Sequence, residues 1–350
     1  MESLTKRRVS TDELAAMVRR GFGERAQVVA RSELTEGSYN AVYLVNVAEP
    51  NTDVVLKVAP DPRLRLLTYE VDLMRTEVEF YRRALAASVP VPEVIFADFG
   101  RCLLETDYVF LSRIPGVPLN TVKKQMSKTE LAALRAALAG ITARLHALTG
   151  SGFGYPCRAS RTWKSTWRGA FGLMVDDLLA DAVRLKSELP APPQRIAALI
   201  RRHDDVLDQV EQPAFVHFDL WDGNVFVTPR GDGRWRITGL IDGERAFFGD
   251  PVAELVSLAL YRDVTDQPEL LSGYAAGSVV APAWLTAAEH APIELADGAR
   301  RRLALYATYL YLIMSIEGVT RGFDGPDYDA SRRSVLDVLE VWLGVIGRRA

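Results

Sequence analysis

The stretch Phe215–Val227, FVHFDLWDGNVFV, places polar groups between two apolar runs. The flanking runs are rich in β-formers and predict two short strands joined by a loop. Within eight residues the loop carries one His, two Asp and one Asn, namely His217, Asp219, Asp222 and Asn224. Carboxylates between buried strands are costly unless a partner there needs negative charge. The stretch therefore predicts a site of chemistry, with a plain turn as the alternative.

Asp219 and Asn224 have the spacing D-x-x-x-x-N. An Asp that takes a proton from a hydroxyl and an Asn that holds a divalent cation share such a loop in phosphotransferases. Asp242 follows the apolar run Gly239–Ile241, so it is expected at the end of a buried strand. Magnesium takes one or two carboxylates together with phosphate oxygens. We therefore predict a magnesium site at Asn224 and Asp242, with Asp219 as the catalytic carboxylate.

A metal-dependent hydrolase is the rival interpretation of the same loop. Its ligands would be His217, Asp219, Asp222 and Asp242. The upstream sequence distinguishes the two functions, because a kinase needs further groups that hold the nucleotide phosphates and a hydrolase does not.

Three upstream features supply such groups. Gly37 and Ser38 form a turn between the strand-like runs AQVVARSEL and NAVYLVNV, where backbone N–H groups can approach phosphate oxygens. Lys57 lies within the apolar run DVVLKVA and needs a partner if it is buried. Glu77, on the following helix, is the candidate partner. Taken singly, these residues also suit a hairpin turn, an outward-facing Lys and a solvated Glu, but their order along the chain indicates a protein-kinase-like phosphotransferase.

The remaining pattern predicts an α+β fold of the protein-kinase-like bilobal type. Residues 1–113 are expected to form a small β-rich nucleotide-binding lobe with a leading helix at Thr11–Phe22, capped by Ser10 and Glu13. Residues 114–350 are expected to form a larger, mainly helical lobe with the catalytic loop, the metal site and the acceptor pocket. Further helices are predicted at about Leu66–Ala87 and within residues 127–149.

Composition bounds the class of protein. The 350 residues are 48% hydrophobic, which supports one large domain or two lobes, and the net charge of −3 argues against nucleic-acid binding. The apolar segment Leu303–Val319 is shorter than the roughly 20 residues that span a bilayer, so a core helix is predicted and no membrane partner. Two cysteines, Cys102 and Cys157, suggest reduced thiols, and the charged N-terminus lacks the apolar core of a secretory signal. A cytoplasmic protein is expected.

Three segments together resemble the aminoglycoside phosphotransferase and choline kinase-like family. HFDLWDGN, residues 217–224, is similar to that family's H-G-D-x-x-x-x-N loop. IDGE at 241–244, with GDP at 249–251, is similar to its I-D-W-E…G-D-P segment, and YVFLSRIPGVPL at 108–119 is similar to its hinge between lobes. The resemblance covers roughly residues 30–260. Three positions depart from the pattern: Phe218 stands in place of Gly, Gly243 in place of Trp, and Glu254 in place of Asp.

The resemblance implies transfer of the γ-phosphate of ATP or GTP, with magnesium, to a hydroxyl of a small molecule. An antibiotic of the aminoglycoside, nucleoside or macrolide type is the expected acceptor. A metabolic sugar or amino-alcohol kinase is the main alternative, and a nucleotide-binding pseudokinase is a further one. By the same resemblance Asp219 is the catalytic base, and Asn224 and Asp242 hold magnesium. The residues implied to bind the nucleotide are Gly37, Ser38, Lys57, Glu77, Phe110 and Ser112, the last two through backbone groups near residues 110–113. His217 and Asp250 are implied to brace the catalytic loop.

The acceptor is less constrained by the sequence. An acidic pocket suits a polycationic aminoglycoside, and its candidate carboxylates are Asp176, Asp177, Asp181, Asp324, Asp327 and Asp329. The segment RASRTWKSTWRG instead combines positive charge with aromatic rings, at Arg158, Arg161, Trp163, Lys164, Trp167 and Arg168. That mixture favours a neutral or anionic acceptor, or a ring stacked on Trp163 or Trp167. The alternative is a solvated surface helix whose Trp side chains face the core.

Overall fold

The computed structural model describes residues 3–156, 161–231, 233–286 and 291–348. Cys157 and Arg158, which entered the sequence analysis as a thiol and as part of the basic segment, lie outside these ranges. The strands in the described residues are β1 (Val28–Leu34), β2 (Ala41–Val47), β3 (Thr52–Val58), β4 (Val94–Asp98), β5 (Tyr108–Ser112), β6 (Val117–Pro118), β7 (Ala214–Val216), β8 (Val225–Pro229), β9 (Trp235–Leu240), β10 (Phe247–Gly249), β11 (Leu285–Thr286) and β12 (Glu294–Leu295).

Helices dominate the second part of the described chain. They are α1 (Thr11–Phe22), α2 (Leu73–Ala86), α3 (Leu119–Val122), α4 (Lys128–His146), α5 (Trp167–Arg184), α6 (Pro193–Arg201), α7 (Asp204–Leu207), α8 (Glu254–Leu258), α9 (Pro268–Gly277), α10 (Asp297–Arg321) and α11 (Pro326–Gly347). The α+β architecture, with a β-rich first part and a helical second part, is the fold that the sequence predicted.

The first part is a five-stranded antiparallel sheet with strand order β1-β2-β3-β5-β4. Side chains of β5 alternate between its two faces, as strand geometry requires. Tyr108 and Phe110 join the core under α1, whereas Val109 and Leu111 join the large core that includes α2. Helix α1 covers the predicted range, and the predicted capping box of Ser10 and Glu13 is present.

Helix α2 begins later than predicted. The sequence pattern predicted a helix from about Leu66, but the first regular turn starts at Leu73. Asp72 has φ 60°, in the left-handed region that a continuous right-handed helix excludes. The preceding residues form a separate 3₁₀ turn, Thr68–Glu70, and the buried carboxylate of Glu70 accepts a hydrogen bond from the N–H of Leu67.

Helix α10 is the central element of the second part. It is long and apolar enough to cross a membrane by length and composition, yet 83% of its most apolar 18-residue stretch is buried inside the fold. This agrees with the predicted core helix. Helices α4 and α9 pack closely nearby, and a Cβ on Gly273 would lie 2.3 Å from the backbone oxygen of Ala136.

Two small sheets connect the parts and frame one loop. Strand β7 pairs with β10, and β8 lies between β6 and β9. The segment between β7 and β8 is the His217–Asn224 loop, flanked by strands as predicted. The five-stranded sheet ends at Ser112, and β6 already belongs to the sheet of β8 and β9. We propose on this basis that the division between lobes falls after residue 113.

Candidate active site

The loop His217–Asn224 is fixed from within by the buried imidazole of His217. Its Nε2 lies 2.9 Å from the carbonyl oxygen of Ile241, and its Nδ1 accepts the backbone N–H of Asp219 at 3.2 Å. With Nδ1 accepting, Nε2 carries the proton that it donates to Ile241. Burial lowers the pKa of His217, which favours this neutral form. These contacts are those of a brace, the role that the resemblance implied.

The carboxylate of Glu254 also fixes the His217–Asn224 loop. It accepts the backbone N–H of His217 at 2.7 Å and that of Phe218 at 3.0 Å, and also the hydroxyl of Ser257 at 2.8 Å. The sequence assigned a brace to Asp250, and this assignment is wrong. The Asp250 carboxylate is instead bound by Arg302 and Tyr306 of α10.

The positions and side-chain lengths of Asp250 and Glu254 explain why Glu254, and not Asp250, contacts the loop. Asp250 caps the 3₁₀ turn Pro251–Ala253 and turns towards α10. Glu254 follows one turn later at the start of α8, and its side chain is one methylene longer than an Asp at that position.

Phe218 has φ 64°, a left-handed conformation that favours glycine. A non-glycine residue in this region carries strain of about 1–3 kcal/mol. The N–H bond to Glu254 and the complete burial of the ring offset that strain. The ring packs against Phe247 and Tyr309, with centroids 5.1 and 5.9 Å away. The departure from Gly therefore keeps the backbone shape and adds an aromatic wall beside Asp219.

Gly243 is the second departure from the family pattern. A Cβ there would lie 2.1 Å from Cδ1 of Phe80, so the Phe80 ring occupies the space that a larger residue would need.

Asp219 is positioned by Asn224, whose Nδ2 donates to the Asp219 carbonyl oxygen at 2.8 Å and to Oδ2 at 3.3 Å. Arg245 lies on the other side, with Nη1 3.8 Å from Asp219 Oδ1, and it also binds Glu317 at 2.7 Å. Burial raises the pKa of Asp219 to about 7, and the Arg245 guanidinium opposes that rise. Arg245 was missed by the sequence analysis, although it stands three residues after Asp242.

Lys57 is buried and lies between two carboxylates. Its Nζ donates to Glu77 Oε1 at 2.6 Å and to Asp242 Oδ1 at 2.7 Å. Burial alone would lower the pKa of Lys57, but the carboxylates of Asp242 and Glu77 outweigh it and raise the pKa. Glu77 is fully buried. The alternatives of an outward-facing Lys and a solvated Glu are thereby excluded.

Tyr81 completes this network and was also missed. Its hydroxyl donates to Glu77 Oε1 at 2.6 Å and accepts the backbone N–H of Asp242 at 3.0 Å. Tyr81 follows Glu77 by one helical turn of α2, which is the spacing that places two side chains on one face. The helix and the segment after β9 are thus tied together through one phenol.

Asn224 and Asp242 lie at the adjoining ends of paired strands. Val225 pairs with Leu240, and the N–H of Ile241 donates to the carbonyl oxygen of Asn224 at 3.0 Å. Asp242 has φ 61°, and its side chain is 38% exposed. Lys57 occupies Oδ1 of Asp242, and Asp219 engages the amide nitrogen of Asn224. The second carboxylate oxygen of Asp242 and the amide oxygen of Asn224 are hard oxygens of the kind that suits a magnesium ion, which also takes phosphate oxygens.

The hydrolase ligand set is not assembled. Across the described parts of the chain, no three His, Cys, Asp or Glu side chains are grouped to hold a metal ion. His217 is committed to Ile241, and Asp222 turns away to Lys123, whose Nζ lies 2.8 Å from Oδ2. An Asn–Asp pair needs no third such ligand, because phosphate and water complete the magnesium shell.

Gly37 and Ser38 lie in the exposed turn between β1 and β2, as predicted. A Cβ on Gly37 would meet no atom within 4 Å. The Ser38 carbonyl oxygen accepts the hydroxyl of Thr5 at 2.9 Å. Just after the turn, buried Asn40 donates to Glu244 at 2.9 Å, which joins this hairpin to the segment after Asp242.

Phe110 and Ser112 lie in β5, between β3 and β4. The Phe110 side chain is fully buried under α1, and the Ser112 hydroxyl accepts the N–H of Glu93 at 2.8 Å. Neither side chain is directed to a cleft, so a nucleotide contact at this strand would use backbone groups, as the resemblance implied.

The two tryptophans among the predicted acceptor residues differ in burial. Trp167 is buried and stacks on Phe247, so the core-facing alternative describes Trp167. Trp163 is 38% exposed and packs edge-on against Phe248.

The predicted acceptor carboxylates differ in their surroundings. Asp176 forms an ion pair with Arg201. The acidic group at the start of α11 is exposed and lines no described cavity; its members are Asp324, Asp327 and Asp329. Asp177 and Asp181 do face a cavity of about 130 Å³.

Comparisons with known proteins identify the family and the fold. A model described as the phosphotransferase enzyme family matches residues 31–290, more than half of the chain. No curated protein sequence matches the chain significantly.

Several solved structures share the fold. The GDP complex of wild-type aminoglycoside 2'-phosphotransferase-IIIa has a TM-score of 0.60 and 16% identity, over 96% of this chain and 99% of that one. The streptomycin–ATP–APH(2")-IIa ternary complex has a TM-score of 0.58 and 17% identity, over 95% and 97%. An ethanolamine kinase of Plasmodium vivax has a TM-score of 0.51 and 9% identity, over 95% and 84%. The chain belongs to the phosphotransferase enzyme family, a family of small-molecule kinases with the protein-kinase-like fold.

Proposed function

We propose that the protein transfers the γ-phosphate of ATP or GTP to a hydroxyl of a small molecule, and that this acceptor is an antibiotic. The observation that carries the proposal is the buried Lys57, held between Glu77 and Asp242, next to the Asp219–Asn224 loop. A protein that only bound nucleotide would not need the Asp219 carboxylate positioned beside the oxygens of Asn224 and Asp242. The presence of both sets of groups favours a working kinase over a pseudokinase.

Asp219 acts on the acceptor. Its carboxylate accepts the hydroxyl proton as the acceptor oxygen bonds to the γ-phosphorus and the bond to the leaving diphosphate breaks. Asn224 and His217 hold the Asp219 backbone and side chain in place for this step. Arg245, 3.8 Å from Asp219, favours the ionised carboxylate that the step requires.

Lys57 acts on the nucleotide. Its ammonium group binds the α- and β-phosphates, and Glu77 with Tyr81 fixes its position. The exposed Gly37–Ser38 turn supplies backbone N–H groups to the phosphates, and backbone groups near Phe110 and Ser112 bind the base. Asn224 and Asp242 would hold magnesium, which would neutralise charge on the phosphate oxygens.

The acceptor class rests on the relatives. The similar structures include complexes of aminoglycoside phosphotransferases with streptomycin, kanamycin and gentamicin. An ethanolamine kinase shares the fold as well, so an amino-alcohol or sugar acceptor is the alternative.

The test is nucleotide consumption against an acceptor panel, with ATP and GTP compared. The panel holds aminoglycosides, nucleoside antibiotics, macrolides, amino sugars and choline-like amines, each with magnesium and with a chelator. We expect transfer to an antibiotic that the chelator abolishes. Transfer only to choline-like amines or sugars would favour the metabolic alternative.

Two other outcomes would contradict the proposal. Nucleotide binding with no transfer to any acceptor would indicate a pseudokinase. Release of phosphate from phosphoesters without a nucleotide would restore the hydrolase interpretation.

A further inference from the structure

A cavity of about 130 Å³ lies between α5, α10 and the turn Thr68–Glu70. Most of its wall is aromatic or aliphatic. Tyr69, Tyr155, Leu178 and Tyr309 supply that surface, and Tyr69 and Tyr155 face each other as nearly parallel rings at 6.1 Å.

The cavity lies next to the catalytic loop. Tyr309 in its wall packs against Phe218, the residue before Asp219. At the other wall, Tyr69 precedes Glu70, which forms an ion pair with Arg321. Arg321 and Arg245 both lie beside Glu317, at 3.7 and 2.7 Å. Arg245 in turn lies 3.8 Å from Asp219. A group bound in the cavity would therefore belong to a molecule that extends towards Asp219.

The carboxylates that face the cavity already have partners. Asp177 accepts from Arg161 Nε at 2.8 Å. Asp181 accepts the N–H and the hydroxyl of Thr68, and Arg184 Nη2 at 2.6 Å. In the described part of the wall, no carboxylate is left without a cation. A polycationic ligand would have to displace these ion pairs, since charged amines gain most from carboxylates that are free to bind them.

Size and hydrogen bonding point to a different ligand. An apolar cavity of roughly 150 Å³ accommodates a benzene ring, so this one fits a single ring. The Tyr69 hydroxyl is buried and makes no hydrogen bond within the described residues. Leaving a buried polar group without a hydrogen bond is destabilising, and a polar atom on the ligand ring would remove that cost.

We infer that this cavity binds an uncharged ring of the acceptor, with the Tyr69 hydroxyl bonded to a polar atom on that ring. The inference rests on the proposed phosphotransfer and deepens it. The acceptor is a hydroxylated molecule with a neutral aromatic or alicyclic ring, and it is not a polyamine sugar. Among the antibiotic types considered, this favours the nucleoside type, since a macrolide lactone ring is larger than the cavity and an aminoglycoside is polycationic.

The experiment measures binding of para-fluorobenzyl alcohol, an uncharged ring with a hydroxyl, to the full chain by fluorine NMR. Leu178→Trp fills the cavity, and Tyr69→Phe removes only the hydroxyl. Val183→Trp is the matched control, since Val183 lies on the same helix and is 60% exposed. We expect Leu178→Trp to weaken probe binding roughly tenfold or more, Tyr69→Phe roughly threefold to tenfold, and Val183→Trp not at all. Nucleotide binding on the same samples reports whether each variant is folded.

Kinetics on the acceptor panel complete the test. Neutral cyclic alcohols should have a higher kcat/KM than kanamycin, and Leu178→Trp should raise their KM without changing the KM of the nucleotide. Absence of probe binding to the unmodified chain, binding that survives both cavity variants, or preferential transfer to kanamycin would overturn the inference. Absence of transfer to every acceptor would instead count against the proposed function, while probe binding would still report on the cavity.

Discussion

The His217–Asn224 loop and the Glu36–Ser38 turn both join two strands, and both were predicted to serve phosphate chemistry. They differ in how they are held. The first is largely buried and is fixed by His217, Asn224 and Glu254 through side-chain hydrogen bonds to backbone groups. The second is exposed, and its recorded side-chain contact is the Thr5 hydroxyl on the Ser38 carbonyl. We propose from this difference that the fold itself positions Asp219 for the acceptor, whereas the exposed turn adjusts to a nucleotide.

The largest effect is expected at the buried lysine. Lys57→Ala removes the cation between Glu77 and Asp242 and leaves a fully buried Glu77 without it. Breaking a buried ion pair in this way costs about 3–5 kcal/mol. We expect a marked loss of stability in chemical denaturation, together with weak nucleotide binding. Glu79→Gln is the matched control, because the Glu79–Arg83 pair is exposed on the same helix, and it should cost under about 1 kcal/mol. Equal effects of the two variants would contradict the role given to Lys57.

A smaller effect is expected when the brace of the catalytic loop is weakened. Glu254→Gln keeps one amide oxygen but cannot accept both N–H bonds of His217 and Phe218 as a carboxylate does. We expect kcat to fall roughly tenfold, the loss of about one charge-assisted hydrogen bond, with nucleotide affinity unchanged.

Asp250→Asn sharpens this point, because Asp250 is the brace that the sequence suggested. It should lower stability through Arg302 and leave the kcat of the folded enzyme within about twofold. A larger fall in kcat for Asp250→Asn than for Glu254→Gln would reverse the assignment.

The smallest effect is expected in the exposed turn. Gly37→Ala adds a methyl group where nothing lies within 4 Å. Stability should change by less than about 0.5 kcal/mol in thermal unfolding. The KM for the nucleotide should rise only if phosphates approach the backbone there, so an unchanged KM would remove Gly37 from the nucleotide site.

Much of this site follows from local sequence. The D-x-x-x-x-N spacing places Asp219 and Asn224 on one loop, and the apolar run before Asp242 places it at a strand end. Lys57 in an apolar strand requires a partner, and Glu77 is that partner. In each case the physical constraint acts within a few residues or on a single buried charge.

The features that the sequence analysis missed depend on three-dimensional packing and backbone conformation, which the spacing of residues along the chain does not encode. Tyr81 joins Glu77 to Asp242 only because α2 packs beside the segment after β9. Glu254 and Asp250 are both acidic and near in sequence, and their roles are decided by which one faces the loop. The start of α2 was misplaced because apolar periodicity continues through Asp72, whose left-handed backbone prevents the helix from starting before Leu73.

The role of Asp219 as the catalytic base is tested most directly by single-turnover phosphate transfer with Asp219→Asn. Nucleotide binding is measured on the same sample. Asn is nearly isosteric with Asp but cannot accept the hydroxyl proton as a base. We expect nucleotide affinity within about threefold of the unmodified chain and transfer slowed by about 10²- to 10⁴-fold, the usual contribution of general base catalysis. Transfer at a rate close to that of the unmodified chain would contradict the assignment of Asp219.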